Sequence, residues 1–166
     1  MVILVDEQDR AIGVADKQEA HVRAWLHRAF SVFIFNSKNE LLLQQRAFDK
    51  YHSPGLWTNT CCSHPMPGET VLEAASRRLK EEMGMEVDLT HLFTFTYKAE
   101  FENQLTEHEI DHVFAGKSDA LPVLDSTEVA SFRYADIPSI KAEMEEHPEH
   151  FTAWFRIIFN EYVHKL

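Results

Sequence analysis

Apolar and polar positions along this chain fall mostly into short β-type stretches over its first two thirds, broken at a few points by a helical period. Val2–Val5 is apolar and largely β-branched, which predicts a strand. Phe30–Phe35 predicts a second strand and Leu41–Gln45 a third, after the turn-like Asn36–Asn39. The run from Arg46 to Gly55 is mostly polar and closes on Pro54-Gly55, which predicts a loop. Between Phe93 and Phe101 the alternation is complete. Phe93, Phe95, Tyr97, Ala99 and Phe101 share one face; Thr94, Thr96, Lys98 and Glu100 share the other. Ile110–Ala115 and Ser131–Tyr134 are further strand candidates.

The clearest helix lies between Gly68 and Gly84. Thr70 with Glu73 three residues on forms a capping box, and Gly84 is a natural stop. Leu72, Ala75, Leu79 and Met83 are expected on one buried stripe, with Glu73, Arg77 and Glu81 as one ladder of ion pairs and Arg78 with Glu82 as another. Ile137–Glu146 and His150–His164 also read as helices, the latter with Phe151, Phe155, Ile158 and Tyr162 on one stripe. No repeat, low-complexity segment or linker interrupts the pattern. The expectation is one domain over residues 1–166, of mixed α/β (α+β) class rather than a run of βαβ units.

Charge narrows the functional classes. The formal net charge is −11 and no basic run exceeds Arg77–Arg78, so the chain lacks the cationic surface that nucleic-acid binding rests on. Met1–Asp9 has no basic start followed by an apolar stretch, and no apolar run nears the length of a membrane span. The expectation is a soluble, cytoplasmic monomer. The only two cysteines, Cys61 and Cys62, are adjacent and too close for an ordinary disulfide; each is either buried filler or chemistry.

Four groups of residues could carry chemistry. If Thr58–Pro65 is extended, Cys62 and His64 point to one face and Cys61 to the other, and a thiol beside an imidazole or a metal can act as acid, base or nucleophile. Glu107 and Glu109 would likewise share a face, where two carboxylates repel unless a cation sits between them. His21 and His27 flank Trp25 in a chain with ten histidines. Glu81 and Glu82, near the end of the predicted helix, suit a hard cation such as Mg²⁺. Each has an ordinary alternative: a buried thiol, a surface acidic pair on an acidic protein, scattered histidines, a solvated helix face.

The helix resembles the Nudix box of enzymes acting on diphosphate-linked substrates, through Glu69, Arg77, Glu81, Glu82 and Gly84. It departs at Ser63, where the pattern has Gly, and at Arg78, where it has Glu, so one carboxylate of the hydrolytic metal cluster is replaced by a cation. Leu26–Ser31, Leu41–Arg46 and above all Trp57–Pro65, with its Asn-Thr-Cys-Cys-Ser-His-Pro run, resemble type 1 isopentenyl-diphosphate isomerases, as do Tyr97 and the Glu107-x-Glu109 pair. The likeness spans roughly Lys17 to Trp154.

That resemblance implies a Nudix-like fold, mixed sheets flanked by helices, and a set of roles. Cys62 resembles a catalytic thiol, and Glu109 assisted by Tyr97 the acid–base group across the substrate. His21, His27, His64, Glu107 and Glu109 resemble the ligands of one divalent metal (Mn²⁺, Mg²⁺ or Zn²⁺), and Glu82 a ligand of a Mg²⁺ on the diphosphate. Lys17, Arg46, Lys50 and Arg78 resemble the cations that hold the diphosphate, and Trp154 the aromatic wall over the reacting carbons. The implied partner is a small prenyl diphosphate. The implied reaction interconverts isopentenyl and dimethylallyl diphosphate by protonation and deprotonation through a tertiary cation, in isoprenoid biosynthesis. A Nudix hydrolase and a non-catalytic metal-binding domain are the competing readings.

Overall fold

The computed structural model describes all residues from Met1 to Leu166. The elements run β1 (Val2–Val5), β2 (Ala11–Ala15), α1 (Lys17–Val22), β3 (His27–Phe35), β4 (Glu40–Arg46), β5 (Trp57–Thr58), β6 (Cys61–Ser63), α2 (Val71–Met83), β7 (Thr90–Glu100), β8 (Thr106–Lys117), β9 (Val129–Asp136), α3 (Ile137–Glu146) and α4 (Ala153–Tyr162). The mixed sheets expected from the sequence are one mixed sheet, organised around β3. One edge of β3 pairs in parallel with β8 along its whole length, and β7 extends that side antiparallel. Its other edge is shared. β1 meets it at His27, β6 at Phe30–Val32 and β4 at Phe35. β9 and β5 continue outward from β4.

β3 reads as an almost unbroken apolar run because both of its faces are covered. Phe30, Val32 and Ile34 pack with Leu42, Ala75, Leu79 and Met83 beneath α2. Phe33 faces the other way, with Leu41, Leu43, Phe93 and Phe95, beneath Ile140 of α3 and Phe155 and Ile158 of α4. Period-two alternation thus sorts one strand between two cores, giving helix–sheet–helix layers.

The capping box of α2 is complete, with Thr70 and Glu73 each bonding the other's backbone, and Gly84 closes the helix at φ 63°. Two details depart from the sequence reading. Leu72 is 47 % exposed, and Ala74 occupies the buried flank instead. Glu73 serves the cap and leaves the ladder; Arg77 pairs with Glu69 at 2.7 Å and with Glu81 at 3.3 Å. The last helix starts at Ala153 rather than His150. Its stripe holds at Phe155 and Ile158, Phe151 is buried just ahead of it, and Tyr162 is half-buried. β2, α1, β5 and β6 lie in segments where the pattern predicted no element.

Candidate active site

Strand pairing alone aligns the centre of the site. His27 of β3 is opposite Glu109 of β8, and Glu109 is opposite Tyr97 of β7, so the three share one cross-strand row. Glu107 and Asp111, two residues either side, place their carboxyls on the same face, and all three acids are buried. Cys62 of β6 is opposite Ser31 of β3, and His64 follows two residues on. His21 enters from the last turn of α1, whose first turn is capped by Asp16. Trp154 enters from the first turn of α4. Thr152 fixes that turn by donating its N–H to Trp57 O at 3.0 Å and its Oγ1 hydrogen to Thr58 Oγ1 at 2.9 Å.

Of these groups, Cys62, His64, Tyr97, Glu107, Glu109, Asp111 and Trp154 line one cleft with Lys17, Arg46 and His52, whereas His21 and His27 do not line it. Cys62 and His64 share it, while Cys61 faces the α2 side and donates its thiol hydrogen to Glu82 Oε2 at 3.0 Å. Of the four cations, Lys17 and Arg46 reach the cleft and have no acidic partner; the Arg46 guanidinium lies 5.3 Å over the Trp154 ring. Lys50 and Arg78 do not line it. Lys50 is paired with Glu128, and Arg78 contacts Glu81, Glu82 and Glu128 at 2.8, 3.3 and 3.7 Å.

The three histidines present buried Nε2 atoms with no hydrogen-bond partner. His27 Nδ1 lies 2.8 Å from the carbonyl of Trp25, an acceptor only, so Nδ1 carries the proton and Nε2 offers a bare lone pair. His21 Nδ1 is held by the Tyr51 hydroxyl at 2.8 Å. Burial pushes His21 down to about 3 and His64 to about 4, so both rings are neutral, the form that binds metal. Ligand atoms of His21, His27, His64 and Glu109 lie within 4.8 Å of one another. Three imidazoles and a carboxylate converging on one point, with their lone pairs unspent, fit a divalent metal ion.

The carboxyls tell the same story. Burial drives Glu107 well above the usual carboxylate range, and Glu109 beside it adds to the push. Burial presses Glu109 the same way, yet its contacts with His64 and His27 draw it below that range. Two buried carboxylates side by side resist ionising together unless a cation stands near, and the opposite directions of the two put the proton on Glu107. The Tyr97 hydroxyl lies 2.7 Å from Glu107 Oε2 and 3.0 Å from Glu109 Oε1. It has a single proton to donate, so a proton on Glu107 lets both contacts form. Burial, then Glu107 and Glu109, push the Tyr97 phenol far up. Burial likewise keeps Cys62 a thiol. Asp111, raised by burial and by Glu109, accepts from Ser31 Oγ at 2.8 Å.

His52, Asp111 and Tyr51 were missed by sequence reasoning. Asp111 continues the alternation that had singled out Glu107 and Glu109, and that signal was there to use. His52 and Tyr51 sit in the Arg46–Gly55 loop, where nothing in the local pattern says that the chain folds inward.

Residues 25–155 match the NUDIX domain. The fold is similar to that of the Deinococcus radiodurans protein DR0079 (TM-score 0.77, 18 % identity, 97 % of this chain and 98 % of that one) and the MutT protein of Methanosarcina mazei (0.70, 20 %, 84 % and 94 %). The chain is therefore a NUDIX-domain protein. Its sequence is 56 % identical over 158 residues to the isopentenyl-diphosphate Delta-isomerase of Pectobacterium atrosepticum, covering 95 % of this chain and 88 % of that one. It is 50 % identical over 161 residues to the enzyme of the same name from Serratia proteamaculans, covering 97 % and 90 %. Within the NUDIX proteins, the chain belongs to the isopentenyl-diphosphate Delta-isomerase family.

Proposed function

We propose that this enzyme moves the double bond of isopentenyl diphosphate to give dimethylallyl diphosphate, with Cys62, Glu109 and Tyr97 handling the protons. The observation that carries this reading is one cleft joining an acid–base cluster, a thiol and an indole to two cations, Lys17 and Arg46, that have no acidic partner. The charged head of the substrate is matched by those cations, with Lys50 joining once its pair with Glu128 opens and Arg78 once its pairs with Glu81, Glu82 and Glu128 open. The five-carbon tail then lies against Trp154.

A proton added to the terminal alkene carbon leaves a tertiary cation, and a proton lost two bonds away restores the alkene. Trp154 faces that cation with its π electrons. The buried walls keep water from quenching it. His21, His27, His64, Glu107 and Glu109 would hold a divalent ion (Mn²⁺, Mg²⁺ or Zn²⁺), and Glu82 a Mg²⁺ that touches the diphosphate. Bound there, such an ion supplies the positive charge that lets Glu107 and Glu109 ionise together. That one sheet carries strands from both halves of the chain supports reading 1–166 as a single domain. No helix is long and apolar enough to cross a membrane. We further propose that the protein works in the cytoplasm as a monomer.

Proton NMR of the metal-loaded enzyme with isopentenyl diphosphate and Mg²⁺ in D₂O tests the reading. Dimethylallyl diphosphate carrying deuterium, with no phosphate released, is expected. An unchanged alkene with a cleaved diphosphate would mean a hydrolase instead.

A further inference from the structure

The ligand atoms of the expected metal set do not form one group. His21, His27, His64 and Glu109 cluster within 4.8 Å, while Glu107 belongs to a second cluster of the same tightness, with His21 and His52. His52 is the one member of that second cluster outside the expected set. Its side chain is 4 % exposed, and its Nε2 lies 3.4 Å from Glu107 Oε1 without a formed hydrogen bond. The ring is fixed from several sides: stacked on Phe101 at 5.1 Å, edge-on to Trp154 at 5.9 Å and to Tyr51 at 4.7 Å. The Arg46 guanidinium donates to its backbone carbonyl at 3.3 Å, tying the loop to the end of β4. A buried imidazole held rigidly with one nitrogen turned toward a carboxylate and a second imidazole has the geometry of a ligand rather than of packing.

We propose that His52 is a further protein ligand of this metal centre, which then draws on four imidazoles and two carboxylates. The inference rests on the metal-centre reading above. Two ligands of one ion stand at most about 4.2 Å apart, twice a typical metal–imidazole bond. The two clusters share His21, so an ion bound there draws His52 and Glu107 in toward His27, His64 and Glu109. The consequence is chemical. Imidazole suits Zn²⁺, Fe²⁺ and Ni²⁺, whereas Mg²⁺ prefers oxygen, so a fourth imidazole turns the site toward transition metals. Six protein donors also leave no open position for a water. The centre then sets the charge of its carboxylates without generating a hydroxide, which suits a reaction that must stay dry.

The test uses the whole protein loaded with one equivalent of Co²⁺. Hyperfine-shifted imidazole N–H resonances in its proton NMR spectrum count the ligated histidines directly: four are expected, and three overturns the proposal. Zn²⁺ affinity by chelator competition is expected to fall at least tenfold in His52→Ala, in line with losses of about 10–100-fold for weaker, outer-shell changes. It should fall equally in His52→Asn, which keeps a hydrogen-bond donor for Glu107 but no imidazole. Affinity restored in His52→Asn would make His52 a positioning residue and overturn the ligand role, as would unchanged affinity in both variants. Should a variant misfold, the cobalt count on the unaltered protein decides alone. Uptake of neither Co²⁺ nor Zn²⁺ by that protein would sink the metal-centre reading itself, and this inference with it.

Discussion

Two charged regions of this protein sit side by side and behave oppositely. On α2, the charges satisfy one another: Arg77 with Glu69 and Glu81, Arg78 with Glu81, Glu82 and Glu128. On the β7–β8 face, Glu107, Glu109 and Asp111 are buried together against histidines whose Nε2 atoms have no hydrogen-bond partner. Self-paired charge is a finished structure. Buried charge without a partner costs stability and persists where something else is to be bound. The helix carries the family signature, but the unmet chemistry lies on the sheet.

From that contrast, the largest effects come from the sheet. Glu109→Gln should lower kcat by about 10²–10⁴-fold, the range for a general acid–base group. The circular dichroism spectrum should stay native, because the neutral amide is no harder to bury. Cys62→Ala should lose turnover comparably while keeping fold and metal content; near-normal activity would remove Cys62 from the mechanism. His27→Ala comes next. It removes a lone pair aimed by the Trp25 carbonyl, and metal analysis after dialysis should find the ion weakened by tenfold or more.

How far the sequence anticipated this follows from how local each signal is. The cap and stop of α2 were legible to the residue because capping is settled within one turn. The alternation of β7 was legible because one face meets core and the other solvent. β2 gave no pattern because nearly all of it is exposed, and α1, at Lys17–Val22, is too short for a helical period to register. Leu72 was misplaced because Ala74 and the buried Glu82, bonded by Cys61 and Arg78, pull the buried face of α2 round toward themselves. Of the site, strand period said only that Cys62 with His64, and Glu107 with Glu109, share a face if their stretches are extended; their roles came from the family resemblance. The pairing of Lys50 and Arg78 with Glu128 was not legible, since Glu128 lies 78 residues from Lys50 and only the β4–β9 ladder brings the two together.

The cations offer a finer break of the comparison, because they divide between the two regions. Arg46 reaches the cleft unpaired, so Arg46→Ala should raise KM for the diphosphate substrate by about 10–100-fold, the worth of one or two charge-assisted hydrogen bonds at roughly 1.5–3 kcal/mol. Lys50 has to leave Glu128 before it can meet a phosphate, and that prior pairing is subtracted from what it gives. Lys50→Ala should therefore raise KM less than Arg46→Ala. Equal effects would mean that the Glu128 pair carries no weight.

The smallest effect is the most specific to that subtraction. Glu128→Gln removes the anion that occupies Lys50 and approaches Arg78, leaving Lys50 free for the ligand while Arg78 keeps Glu81 and Glu82. Partly exposed pairs of this kind are worth at most about 1 kcal/mol, so affinity for inorganic diphosphate measured without divalent metal should tighten by no more than about fivefold. Salt should erase the gain, since screening weakens the lost pair as well. A weaker affinity in Glu128→Gln would reverse the assignment, making Glu128 the support that holds Lys50 in place rather than the anion it must give up.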